Sequence, residues 1–313
     1  MNPPPDDELI FEGPREAAAG QLTRVSPLVR RLIANNPSPF TFTGTCSYLV
    51  GEEEVAIIDP GPLDEAHIEA LLRAANGRPV AHIVVTHTHR DHSPAAARVK
   101  ALTGAPILGA RPYRPRPGLA GMLKGLDASH DLSYAPDFVL QEGERIEGRG
   151  YTLEAVATPG HAANHLCFAL PEENCLFSGD HVMAWSTSIV APPDGSMGDY
   201  MASLEKLRDR DEAIYWPGHG GPVREPQRWM RALAHHRRQR EASILARVEA
   251  GDATVSQIVA KVYENLKPAL VGAASLSTLA HLEDLVARGL VAIEGEPGLS
   301  ARFRPARTAT AAR

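Results

Sequence analysis

The segment His82–Ser93, HIVVTHTHRDHS, decides how this chain reads. Its apolar, β-branched run from Ile83 to Thr86 has no helical periodicity and forms a buried strand signal. His87, His89, Asp91 and His92 follow directly. Side chains alternate in extended backbone, so His87 and His89 share one side and can grip one ion. Asp91 and His92, at the turn into the next helix, are then free to serve a second. Imidazole and carboxylate together suit zinc first, with iron or manganese as alternative occupants. Polar groups clustered straight after a buried strand need partners, and a metal supplies them better than chance surface histidines would.

Working outward, strand patterns fall at Thr41 to Val50, Val55 to Ile58, Phe138 to Leu140, Thr152 to Thr158, His165 to Leu170, Cys175 to Phe177 and Ala213 to Trp216. Helical patterns lie between them. Asp64 to Ala75 opens on a capping Asp and closes on Asn76-Gly77, and Ser93 to Leu102 and Tyr200 to Arg208 supply two more. Strand groups and helices thus occur twice over, which predicts two sheets packed face to face with helices outside. Between Arg111 and Pro136 the sequence is rich in Pro, Gly and Arg and reads as a surface insertion. After Pro226 the pattern changes to helices at Trp229 to Val248, Val255 to Tyr263 and Leu276 to Arg288. Short strands at Val291 to Ile293 and Arg302 to Arg304 follow, giving a winged-helix module. The expected division is residues 1–225 for a catalytic domain and 226–313 for the winged helix.

On these residues the chain resembles the metallo-β-lactamase superfamily, whose HxHxDH motif is matched by His87, His89, Asp91 and His92. Three further family motifs follow in order: Thr158-Pro159-Gly160-His161, Ser178-Gly179-Asp180 and Pro217-Gly218-His219. The resemblance implies an α/β fold, the αββα sandwich of two mixed sheets flanked by helices. It also implies a binuclear centre in which His87, His89 and His161 bind one divalent ion, Asp91, His92 and His219 the other, and Asp180 bridges them. Two such cations activate a shared water and polarise the substrate oxygen, with Asp91 orienting the nucleophile. Asp59, in AIIDPG, matches a family carboxylate that steadies ligand imidazoles, or else is a turn residue before Pro60. His165 matches a histidine common among relatives and is either a general acid or substrate contact, or a structural histidine. Ser186 and Thr187, in the loop leaving Asp180, are candidate substrate contacts. Histidine rather than glutamate at position 89 disfavours the redox di-iron branch, and the intact Asp180 disfavours β-lactam hydrolysis.

Together with its winged helix, the chain is similar to the β-lactamase-like protein 2 subfamily, some members of which cut single-stranded RNA. That resemblance makes RNA phosphodiesters the first expected substrate, with Arg111, Arg114 and Arg116 as backbone contacts. The alternatives are a glyoxalase II-type thioester or ester hydrolase and a non-enzymatic factor that binds nucleic acid or protein through the winged helix. A net charge of −6 gives no general pull toward phosphates. The three cysteines, Cys46, Cys167 and Cys175, are too scattered for a disulfide framework or a thiolate zinc site. The start, MNPPPDDELI, lacks the basic and apolar stretches of a secretory signal, and no apolar run reads as a membrane span, so a cytoplasmic protein is expected. A homo-oligomer is compatible with all of these readings.

Overall fold

The structure, a computed structural model, describes residues 9–11, 13, 18–114, 130–264 and 266–306. Strands β1 (Thr23–Arg24), β2 (Val29–Ile33), β3 (Cys46–Val50), β4 (Val55–Ile58), β5 (Val80–Val85), β6 (Ile107–Gly109) and β7 (Phe138–Val139) form one sheet in that order. Pairing is antiparallel up to β4 and parallel from β4 to β7. The second sheet runs β13 (Val223–Arg224), β12 (Ile214–Pro217), β11 (Cys175–Gly179), β10 (Leu166–Leu170), β9 (Tyr151–Ala157), β8 (Arg145–Gly148). Its one parallel pair is β11 with β12.

Strands β3, β4, β10 and β11 are buried along their whole length, which is why they read as continuous apolar runs rather than alternating ones. Period-two geometry sends Ala56, Ile58, Phe168 and Phe177 into the core between the sheets. Ile57 and Ile83 meet the outer helices α1 (Glu65–Ala75) and α2 (Ala95–Thr103) through Ile68, Leu71 and Val99. Cys167, Leu176 and Tyr215 meet α3 (Met197–Arg208) and α4 (Pro226–Glu249) on the other side. The result is the expected αββα layering. Helix α1 is capped as its sequence predicts: the Asp64 side chain accepts from the Ala66 N–H at 3.0 Å, and Asn76 closes the helix in the left-handed region.

The C-terminal part is a winged-helix domain of α5 (Val255–Val262), α6 (Val271–Ala287) and the hairpin β14 (Val291–Glu294) with β15 (Arg302–Pro305). Its own core holds Ile258, Leu282, Leu285 and Phe303. The expected cut before Pro226 falls at the first residue of α4. Trp229, Met230 and Leu233 of that helix pack into the outer layer of the second sheet, while Ile244 and Val248 enter the winged-helix core. The stretch Pro268–Ala287 is long and apolar enough by composition to cross a membrane, which the sequence reading does not anticipate. Leu279, Leu282 and Leu285 of this stretch are interior residues of the winged helix.

Candidate metal centre

The site is built where the two sheets meet the loops that leave β5, β9, β11 and β12. Three ligand-capable groups form there among the described residues, each with donor atoms mutually within 4.8 Å: His89, His130 and Asp194 make one, and the motif residues make the other two, His87, His89, His161 and Asp180 in the first and Asp91, His92 and His219 in the second. Asp180 belongs to both motif groups in distance, its carboxylate lying 3.6 Å from His161 Nε2, 3.5 Å from His92 Nε2 and 3.3 Å from His219 Nε2.

The hydrogen bonds around these imidazoles fix which nitrogen faces inward. Thr86 Oγ1 donates to Asp59 Oδ2 at 2.8 Å and so accepts from His87 Nδ1 at 2.9 Å, leaving His87 Nε2 without a proton. His161 Nδ1 donates to the Ile189 carbonyl at 2.6 Å, which bares its Nε2 as well. Both bare nitrogens point at the same atom, His89 Nδ1, at 2.9 and 3.0 Å. Three nitrogens gathered in this way share at most one proton, and a cation is the natural fourth member. In the second group His92 Nδ1 donates to Asp59 Oδ2 at 2.9 Å, and His92 Nε2 and Asp180 Oδ1 are buried with no hydrogen-bond partner. The orphaned atoms and the donor chemistry fit a divalent metal site.

The electrostatics separate the two motif groups. Burial, then the neighbouring imidazoles His92 and His89, holds His87 well below the ordinary histidine value, and burial and His161 do the same to His89. Both are neutral ligands ready for a metal. Burial also opposes charge on His92 and His219, yet the carboxylates outweigh it: Asp91, Asp180 and Asp59 raise His92 well above its ordinary value, and Asp180 with Asp91 pushes His219 up to about 10. Against the same burial, His92 and His219 carry Asp91 and Asp180 well below the usual carboxylate range. In the second group the carboxylates thus draw protons onto the imidazoles, at nitrogens for which a cation would compete.

Asp59 is more than a turn residue. It is buried in a left-handed conformation (φ 47°), with Oδ1 accepting from the Thr86 N–H at 2.8 Å and Oδ2 accepting from Thr86 Oγ1 and His92 Nδ1. One carboxylate therefore orients an imidazole of each group. Thr45 Oγ1 donates to Asp91 Oδ2 at 3.0 Å and in turn accepts from Asn36 Nδ2 at 3.0 Å, a support with no motif to announce it. In the Thr-Pro-Gly-His loop, Gly160 has φ 140° and packs so tightly on α3 that a β-carbon would lie 2.3 Å from Tyr200 Cα.

A chamber of about 630 Å³ opens over the two motif groups. Its floor carries His89, Asp91, His161, Asp180 and His219; its walls include Phe40, Met183, Ile189, Ala191 and Pro192. His165 does not reach it. Only 1% exposed, its Nε2 accepts from the Asp180 N–H at 3.2 Å and its Nδ1 pairs with Thr158 Oγ1 at 2.8 Å. This geometry offers no contact to substrate, and His165 instead steadies the Asp180 turn. Ser186 and Thr187 line a neighbouring cleft toward the winged helix rather than this chamber. Arg111 and Arg114 line a separate cavity of about 460 Å³, where Arg111 Nη2 donates to the Ala163 carbonyl at 3.3 Å. Arg116 lies outside the described residues.

Two chamber residues escape the sequence reading. His130, which by sequence alone reads as a surface or packing histidine, is 5% exposed, pairs by an isolated bridge with His89 and stacks on Tyr113 at 3.7 Å. Its Nε2 lies 3.6 Å from Asp194 Oδ2. Residues 89, 130 and 194 are far apart in sequence, so no spacing signal joins them.

The chain belongs to the metallo-β-lactamase superfamily: residues 40–219 match the model of that superfamily, and residues 254–299 match the β-lactamase-associated winged helix domain. It is a hydrolase of that superfamily with a candidate metal-binding His/Asp cluster. It is similar to the lactamase-like protein adaB of Aspergillus niger, 31% identical over 88% of this chain and 86% of the relative. An atrochrysone carboxyl ACP thioesterase, AgnL7 of Paecilomyces divaricatus, is 33% identical over 77% of this chain and 71% of its own. A β-lactamase-like protein 2 homologue of Caenorhabditis elegans is 29% identical over 72% of each. In fold, a β-lactamase domain protein from Burkholderia ambifaria superposes with a TM-score of 0.78 at 22% identity, covering 93% of this chain and 95% of that one.

Proposed function

We propose that the chain is a binuclear metal hydrolase that cleaves a carboxylic thioester or ester bearing an apolar acyl group. The observation that carries this reading is the chamber itself, with a polar His/Asp floor under walls of Phe40, Met183, Ile189 and Pro192. Arg90 also lines the chamber, but its largely apolar walls favour an acyl chain over a polyanionic strand, and the net charge of −6 points the same way. A relative named as an acyl-carrier-protein thioesterase supports it.

His87, His89 and His161 would hold one divalent ion and Asp91, His92 and His219 the other, with Asp180 between them and zinc the first expected occupant. Such ions supply Lewis-acid chemistry, activating water and polarising a carbonyl. The chain's own residues do the rest. Asp91, held by Thr45, orients the attacking water and takes its proton. Thr86 and Asp59 keep His87 and His92 in the tautomers that present Nε2 inward. The apolar walls exclude bulk water and seat the acyl group, so the reaction adds water across the carbonyl–sulfur or carbonyl–oxygen bond and releases acid and thiol or alcohol.

Turnover of octanoyl-N-acetylcysteamine by zinc-, iron- or manganese-reconstituted protein, set against unstructured RNA under matched conditions, tests the reading. Elemental analysis should give about two ions per chain, the number the two motif groups imply. RNA cleavage far exceeding thioester turnover would move the assignment to the phosphodiester reading, which draws on Arg111 and Arg114 in the adjoining cavity.

A further inference from the structure

The catalytic chamber is not made by the sandwich alone. Ala269, Gly272, Ala273 and Leu276, from the turn before α6 and from α6 itself, line the same space as His161, Asp180 and His219. Their spacing of three, four and seven places them on one helical face. The other face is fixed in place, because Ala274, Leu279, Leu282 and Leu285 are interior residues of the winged-helix core. The chamber-facing side carries no cation and no hydrogen-bonding side chain, so it has nothing with which to hold a phosphate. The floor beneath this face is a reactive one: Asp180 lines it, and the Asp180 Oδ1 atom, buried beside His92 without a hydrogen-bond partner, is one that a metal ion would take up.

From this juxtaposition we infer that α6 is the acyl-selecting wall of the chamber, and that Gly272 and Ala273 set the bulk of the acyl group admitted. A β-carbon built on Gly272 meets nothing within 4 Å, and its backbone is helical rather than left-handed. The missing side chain is therefore not required by packing or by conformation. Glycine is a poorer helix former than alanine, and what its presence here leaves is open space over the reactive centre. The winged helix serves here as part of the active site, and its ligand is an apolar acyl chain. The inference rests on the ester or thioester reading given above.

The experiment fills that space. Acetyl, butyryl, octanoyl and dodecanoyl N-acetylcysteamine thioesters are compared in the metal-loaded full chain, in Gly272→Leu, in Ala273→Leu and in Val271→Leu, position 271 being 44% exposed and absent from the chamber lining. Gly272→Leu and Ala273→Leu should lower the octanoyl-to-acetyl ratio of kcat/KM by about tenfold or more, the scale on which a hydrophobic pocket discriminates methylenes. The change should appear chiefly in KM, and Val271→Leu should leave the ratio in place. A ratio unchanged in Gly272→Leu, or equal losses for every acyl length, overturns the inference. If no thioester is turned over, the functional reading fails by itself, and calorimetric binding of octanoate and acetate then reads the wall directly. Selective loss of octanoate binding in Gly272→Leu sustains it; no octanoate binding by the unaltered chain, or equal binding by both, overturns it.

Discussion

Gly218 approaches the Asp180 carboxylate so closely that a β-carbon on it would sit 2.4 Å from Oδ1 and 2.7 Å from His92 Cε1. The backbone has no way to retreat, because the Gly218 N–H donates to the Gly179 carbonyl at 2.8 Å and its own carbonyl accepts from Cys46 N–H at 2.7 Å. Gly218→Ala should therefore displace Asp180 and His92 together. We expect a lower metal content, concentrated in the Asp91, His92 and His219 group, and about a 100-fold fall in kcat, the usual effect of a misplacement near 1 Å. Elemental analysis beside steady-state kinetics checks it; full occupancy with unchanged turnover contradicts it.

Asp59→Ala should act on both motif groups, since this carboxylate orients His92 directly and His87 through Thr86. Removing such a support typically costs about 10–100-fold in metal affinity or activity. A competition titration with a chromophoric chelator should show both apparent affinities weakened. Weakening of a single ion would mean that the Thr86 link does not transmit the orientation.

His89→Ala removes the nitrogen on which His87 and His161 converge. Metal occupancy should fall and turnover should be lost, while the circular dichroism spectrum and sheet content stay close to those of the unaltered chain. Activity retained at full metal content would refute the proposed grouping.

Much of this centre is legible in the sequence because its donors sit at strand ends, where the chain leaves regular structure and local spacing survives: His87, His89, Asp91 and His92 within one turn, and His161, Asp180 and His219 each in a short Gly-bearing loop. What stays hidden depends on long-range packing. His130 and Asp194 reach the chamber from segments with no shared motif, and the contribution of α6 follows from how the winged helix seats on the sandwich. The same holds for the fold. Val55–Ile58 is read correctly as a strand, whereas Val29–Ile33 is missed because Arg30 and Arg31 make it look polar. In the folded chain Arg30 is 7% exposed and donates to the Gly51 carbonyl at 2.5 Å. Two-residue strands such as Thr23–Arg24 are too short to show a period at all.

His281, in α6, is 1% exposed and neither ring nitrogen has a hydrogen-bond partner. Burial first, and then the cations of Arg237 and Arg240, lowers it to about 3 from the ordinary 6.5. Below pH 6.5 the unfolded chain binds a proton that the folded chain refuses, so stability present above 6.5 is lost as the pH falls toward 3, by up to about 1.4 kcal/mol per pH unit. His281→Leu should flatten the decline of Tm between pH 7 and pH 4. Calorimetric scans of both proteins across that range decide it, and parallel declines count against the buried neutral imidazole.

Truncation after Arg224 should not leave a stable sandwich. It removes Trp229, Met230 and Leu233 from the layer that covers Val156, Leu176 and Tyr200, at about 1.5–3 kcal/mol for each large side chain uncovered. Truncation after Glu249 keeps these three side chains and takes from that cluster only Ala280 of α6. Thermal melts should be cooperative for the longer fragment and absent or shallow for the shorter one.

Helix α4 carries a consequence for how such a protein can change over generations. Its N-terminal half is a part of the sandwich, where Arg237 donates to the Ser188 carbonyl and lies 5.0 Å from the centre of the Tyr200 ring. Its C-terminal half belongs to the winged helix through Ile244 and Val248. A recombination event that exchanged the C-terminal module would have to break inside this uninterrupted helix, between Arg237 and Ile244, and would have to conserve helical phase as well as reading frame. A breakpoint one residue out of step turns the incoming module by about 100° relative to the metal cluster. Exchange of the winged helix thus carries a phase constraint that point substitution on the α6 face does not.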